Sequence, residues 1–133
     1  MKKVMFVPVL LALAACGGTS NINDDKVYFA FDSAELTSCA TNDLKSQAVY
    51  MKKNKDVDVV LEGHCDERGS TEYNLALGAL RAGNAAHVIL KEGIEPERVK
   101  TISYGKENPQ YPGSGEAIWA KNRNATTKVV TKK

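Results

Sequence analysis

Aromatic residues are scarce in this chain, 7% of 133 residues with a single tryptophan, and only three cysteines and two histidines occur. Few rings are therefore available for base stacking. An excess of one charge sign is missing too. Eighteen Lys and Arg stand against sixteen Asp and Glu, and once Lys2 and Lys3 are set aside the remainder is balanced. A chain with no net field does not attract a polyanion, which excludes nucleic acid as the main ligand. The apolar runs all fall short of the roughly 20 residues a membrane-crossing helix needs. An H-E-x-x-H segment, a nucleophile elbow and a Cys–His pair with an orienting third residue are equally missing, so neither a metal nor a cofactor is expected. What is present, 43% hydrophobic and 26% charged residues, is the composition of one compact soluble domain.

The chain opens with MKKVMFVPVLLALAAC, two lysines followed by an uncharged run from Val4 to Ala15. This pattern reads as a secretory signal over residues 1–15. Leu13-Ala14-Ala15-Cys16 resembles the lipobox of bacterial lipoproteins, which makes Cys16 the expected acylated N-terminus. Residues 16–25 contain one strong apolar side chain and many turn formers, and are expected to be a short flexible tether. The folded domain is then expected over residues 26–133. Export places Cys39 and Cys65 in an oxidising compartment, where one disulfide between them is possible.

Within the domain, Val27 to Phe31 is β-branched and aromatic and predicts a strand. Ala40, Leu44, Ala48 and Met51 recur at helical spacing within residues 38–54. Val57, Val59 and Leu61 alternate with Asp58, Val60 and Glu62 and predict a second strand, ending at Gly63. After the polar loop GHCDERGST, Ser70 or Thr71 caps a long helix to about Glu92, with Gly93 at its C-terminal turn. Further strands are expected over residues 99–104 and 124–131, with a short helix around 116–122 carrying Trp119. The expected class is α+β, in the order β-α-β-α-β-β, a two-layer sandwich of a mixed sheet with helices on one face.

Chemistry-bearing residues converge on the chain reversals: Phe31 and Asp32 after the first strand, residues 63–69 after the second, and the start of the long helix. VYFAFD at 27–32, LEGHCDERGSTEYNLALGALRA at 61–82, ISYGKENP at 102–109 and KNR at 121–123 resemble the OmpA-like peptidoglycan-binding domain family, and within it the lipid-anchored members. The resemblance implies a non-enzymatic module that binds peptidoglycan at the meso-diaminopimelate residue of its stem peptide. The family's binding positions fall on Asp66 and Arg81, with Asn74 and Leu77 lining the pocket and Phe31 and Asp32 at its other wall. Diaminopimelate is zwitterionic at its side-chain end, so an anion and a planar cation form a suitable pair. The resemblance further implies an outer-membrane lipoprotein on the periplasmic face, consistent with Gly17 after Cys16. Partnership with a Tol-type system and its periplasmic propeller protein is implied as well, with roles in envelope integrity and cell division.

A competing reading is an enzyme acting on peptidoglycan, with Asp66, Glu67 or Glu72 of the 63–72 loop as acid or base and His64 assisting. His64 itself reads as a hydrogen-bonding structural residue. The chain departs from the family at Cys65, where small or hydroxyl residues are usual, at Asn124, where many members carry a second Arg, and at Leu80, usually polar.

Overall fold

The computed structural model describes residues 21–131; the expected signal segment and the lipobox cysteine, Cys16, lie outside the described residues. The elements are β1 (Lys26–Tyr28), α1 (Ser38–Lys53), β2 (Val57–His64), α2 (Thr71–Lys91), β3 (Val99–Gly105), α3 (Glu116–Asn122) and β4 (Asn124–Thr131). They form one four-stranded sheet in the order β1-β4-β2-β3. β4 runs antiparallel to both β1 and β2, whereas β2 and β3 are parallel, so the sheet is mixed as expected.

Alternation along β2 decides which side the helices cover. Val57, Val59 and Leu61 are buried, while Asp58, Val60 and Glu62 between them are only half-buried. The buried side chains meet Leu44, Ala48 and Met51 of α1 and Ala82, Ala85 and Ile89 of α2 in one core. Small residues on α2 let it lie close to the sheet. A Cβ placed on Gly63 would stand 1.8 Å from the carbonyl oxygen of Gly78, so glycine is required where β2 ends beneath the helix.

Helix ends follow the sequence signals. Thr37 accepts from the amide of Ala40 at 3.0 Å, and Ser70 accepts from that of Tyr73 at 3.1 Å. Gly93, past the last residue of α2, takes φ 100°, the left-handed conformation anticipated there.

Two boundaries differ from expectation. β1 ends at Tyr28 rather than continuing to Phe31. Phe29 still donates to the Arg123 carbonyl at 2.9 Å, but Ser33 then bonds back to Ala30 and Asp32 adopts φ 54°. The aromatic run is thus split: Phe29 is buried and Phe31 is turned out, 60% exposed. The second difference concerns residues 21–25, expected within the tether. Ile22 is buried in the core, Asp24 donates its amide to Thr127, and Asn23 accepts from the amide of Val129. Packing of this stretch on β4 extends the folded unit by several residues.

The Cys39–Cys65 disulfide does not form. Cys65 is a free, buried thiol. Its sulfur lies against α2 and donates to the Asn74 carbonyl at 3.3 Å.

Candidate functional site

All six residues named from the sequence line one pocket of about 240 Å³: Phe31, Asp32, Asp66, Asn74, Leu77 and Arg81. It opens where β1 and β2 end, with α2 as its wall. Asn74, Leu77 and Arg81 follow one another at intervals of three and four residues, which puts them on one face of that helix.

Arg81 is 1% exposed. Among the described residues, no carboxylate pairs directly with it. Its Nε donates to Ser33 O at 2.8 Å, Nη1 to His64 O at 2.9 Å and Nη2 to Ala30 O at 3.2 Å. Burial pulls the guanidinium below its ordinary pKa, yet an arginine stays charged in proteins. The residue therefore fastens the 30–33 turn to the end of β2 and places a positive charge in the pocket wall, within electrostatic reach of Asp66.

Asp66, 5% exposed, is paired with a residue that sequence reasoning passed over. Arg68 donates its amide and its Nε to Asp66 Oδ1 at 3.0 and 3.1 Å, and its Nη2 to Oδ2 at 2.9 Å. Arg123 adds a second cation at 3.6 Å. Burial alone would raise the Asp66 carboxyl, but the Arg68 bonds and the two neighbouring positive charges outweigh it and hold the group below the usual carboxylate range. Arg68 is itself placed by two aromatic rings. Its guanidinium carbon lies 4.0 Å from the Phe31 ring centroid and 4.1 Å from that of Trp119.

The rest of the loop is equally engaged. Glu67 accepts from Ser114 Oγ at 2.6 Å and Trp119 Nε1 at 3.0 Å, which ties the loop to α3 and keeps its pKa low. Asn74 donates to Arg68 O and Ser70 O, at 2.8 and 3.0 Å. The Tyr73 hydroxyl donates to Asp32 across the mouth. His64 faces away from the pocket, stacked on Tyr104, with its Nε2 3.4 Å from Glu62 Oε1. Burial lowers its pKa, so the ring is held neutral.

Arg68, Tyr73 and Trp119 are the site residues the sequence reading missed. The signal for Arg68 was its place two residues after Asp66 in a polar loop. For Trp119, the sole tryptophan, no local pattern pointed at Glu67, 52 residues away.

The lining charges are Asp32 and Asp66 against Arg68 and Arg81, two of each sign beside the apolar faces of Phe31 and Leu77. Such a site suits a zwitterion carried on a short apolar stem. Fold and site together define a small α+β module with a charged pocket at one end of its sheet. The chain belongs to the OmpA family, whose model matches residues 28–124. It is 43% identical over 109 residues to a peptidoglycan-associated lipoprotein of Mesorhizobium japonicum, covering 82% of this chain and 64% of that one. A peptidoglycan-associated lipoprotein of Pasteurella multocida is 35% identical over 94% of this chain and 95% of its own length. The chain thus spans rather less than two thirds of the Mesorhizobium relative and nearly all of the Pasteurella one. Among solved structures, the peptidoglycan-associated lipoprotein from Burkholderia pseudomallei superposes with a TM-score of 0.76 at 36% identity, over 79% of this chain and 89% of that one. The C-terminal domain of Helicobacter pylori MotB shares the fold, with a TM-score of 0.75 at 23% identity over 81% and 85% of the two chains.

Proposed function

We propose that this protein binds peptidoglycan non-covalently, gripping the diaminopimelate residue of a stem peptide in the Asp66–Arg81 pocket. One observation carries the reading: two buried groups of opposite charge line the same small cavity with Leu77 and Phe31. Diaminopimelate presents an ammonium and a carboxylate on one carbon at the end of a short aliphatic chain, which matches that lining. The names of the relatives in two of the comparisons above support the wall polymer as the ligand. With Cys16 acylated, the protein joins the outer membrane to the cell wall and performs no reaction. Repetition of a weak contact along one membrane and one polymer makes the attachment durable. Work within a Tol-type envelope system, with its periplasmic propeller protein as a partner and a part in cell division, belongs to the same proposal and rests on family resemblance.

The enzymatic alternative gains nothing from the geometry. A general acid must hold a proton near neutral pH and a general base works best with its pKa near the working pH, whereas Asp66 and Glu67 are both held below the usual carboxylate range.

Purified diaminopimelate-containing sacculi test the reading directly. Wild-type protein is expected to sediment with them, and Asp66→Asn to lose about 2–5 kcal/mol of binding because a buried charged partner is removed. Mass spectrometry of muropeptides after incubation should show them unchanged. Equal retention of wild type and variant overturns the site, and turnover of the muropeptides overturns the binding role in favour of an enzyme.

A further inference from the structure

One face of α2 is turned to solvent with almost none of the charge that an exposed helix face carries. Between Tyr73 and Leu90 the helix holds no Asp, Glu or Lys, and its one arginine, Arg81, is buried on the pocket side. A surface helix ordinarily presents charged and polar side chains outward. Here Leu80 is 59% and Tyr73 52% exposed, and Ala76, Gly83 and His87 are exposed with them. Leu80 also stands where family members usually carry a polar residue.

These positions are spaced as a seam. Tyr73, Ala76, Leu80, Gly83, His87 and the half-buried Leu90 follow one another at alternating steps of three and four, the spacing by which one helix packs along another. The domain's own core does not use them, because α2 meets it through Ala82, Ala85 and Ile89 on the other side. A Cβ added to Gly83 would find nothing within 4 Å, so the seam is open at its middle.

We infer that this face of α2 is an interaction surface for a second copy of the chain, the two helices packing antiparallel about a two-fold axis level with the Arg81–Ala82 peptide. The surface goes beyond the peptidoglycan reading and does not depend on it.

Self-complementarity selects a copy of this chain as the partner. In an antiparallel pair centred there, Leu80 lies level with Gly83 of the second copy, Ala76 with its His87 and Tyr73 with its Leu90. The inner layers thus set a large side chain beside a small one, and at the ends the Tyr73 ring meets a leucine. Every contact occurs twice, as a two-fold interface requires. The small side chains of Ala76, Ala79 and Gly83 let the two backbones come close. Charge agrees with this direction. Glu72 and Lys91 bound the seam, both exposed, and neither forms an ion pair among the described residues. Antiparallel packing brings the acidic end of one helix to the basic end of the other and opposes their dipoles, whereas parallel packing gathers like charges at both ends. Six side chains from each copy bury less than the roughly 1,200 Å² of a standard interface, so the dimer is a weak one.

Sedimentation equilibrium of the purified protein at concentrations up to about 1 mM tests the inference. A concentration-dependent dimer is expected, and a monomer throughout overturns it. Leu80→Lys and Gly83→Gln change exposed positions, and each should raise the dimer dissociation constant at least about tenfold. The thermal midpoint of dilute Gly83→Gln should stand at or above that of wild type, because glutamine is the better helix former. A dimer that survives both substitutions overturns the surface. The pairing is read by isotope-filtered NMR on mixed labelled and unlabelled protein. The Tyr73 ring and the Leu90 methyl groups lie 17 residues and about 25 Å apart along one helix, so contacts between them arise only between copies. Contacts of Tyr73 with Tyr73 in their place overturn the antiparallel arrangement.

Discussion

Three buried arginines show how little a residue's identity says about its work. Arg81, Arg98 and Arg123 are each 6% exposed or less. All three donate to backbone carbonyls: Arg81 to residues 30, 33 and 64, Arg98 to Met51, Asn54 and Val57, and Arg123 to Phe29. An arginine that lines the pocket is here also a staple between chain segments. Arg81→Ala should therefore lower stability by about 2–4 kcal/mol, since it strands carbonyls that lose their donor. Urea denaturation measures the loss, and Arg81→Lys should recover part of it by keeping a cation within reach. The sequence does not distinguish these roles, because the carbonyls that Arg81 meets belong to residues 17 to 51 positions away.

At the scale of elements, the contact between β2 and α2 sets the shape of the site. Gly63 and Gly78 bring strand end and helix together, and the pocket opens just beyond that crossing. Gly63→Ala should cost about 3 kcal/mol or more, because the added methyl meets backbone that has no rotamer to yield. The thermal midpoint of the variant checks this. The helices and three of the strands were legible in the sequence because their signals are local: apolar spacing, a serine or threonine cap, and a glycine past the helix end. β1 was overestimated because Phe29 and Phe31 share a β-type pattern, although one enters the core and the other walls the pocket. The long helix gave Asn74, Leu77 and Arg81 by periodicity and resemblance together. Arg68 and Trp119 escaped because the rings that hold Arg68 and the Glu67 that Trp119 bonds are brought to them only by the fold, α3 having been recognised as a helix without any sign of what it touches.

For the molecule as a whole, acid should act in two stages. His64 is buried with its Nδ1 lacking a partner, and burial depresses its pKa despite the opposing pull of Glu62. The unfolded chain takes up that proton first, so the stability this group contributes is intact above its ordinary value of about 6.5 and declines as pH falls below it toward the lower folded value. Asp66 follows the same sign at lower pH. Its contribution is present above the ordinary aspartate value of about 3.9 and is lost as pH drops through the depressed folded value. Melting curves from pH 8 to 3 should show both declines, with His64→Gln flattening the upper one and Asp66→Asn the lower. A His64→Gln protein whose midpoint follows wild type between pH 7 and 5 would refute the assignment of the upper stage.

The register of β1 on β4 has a mechanical consequence. Asp24 lies beside Thr127 and Tyr28 beside Asn124, so the chain enters at the far side of the sheet and runs toward the pocket, whose lining begins at Phe31, one residue after the Ala30 carbonyl that Arg81 holds. Ladder bonds between antiparallel strands lie across the strand axis. A load applied between residue 21 and a ligand seated in the pocket would pull β1 lengthwise along β4. Its bonds would be sheared as a group, and the edge strand would resist such a pull far better than one that peels it away from the sheet.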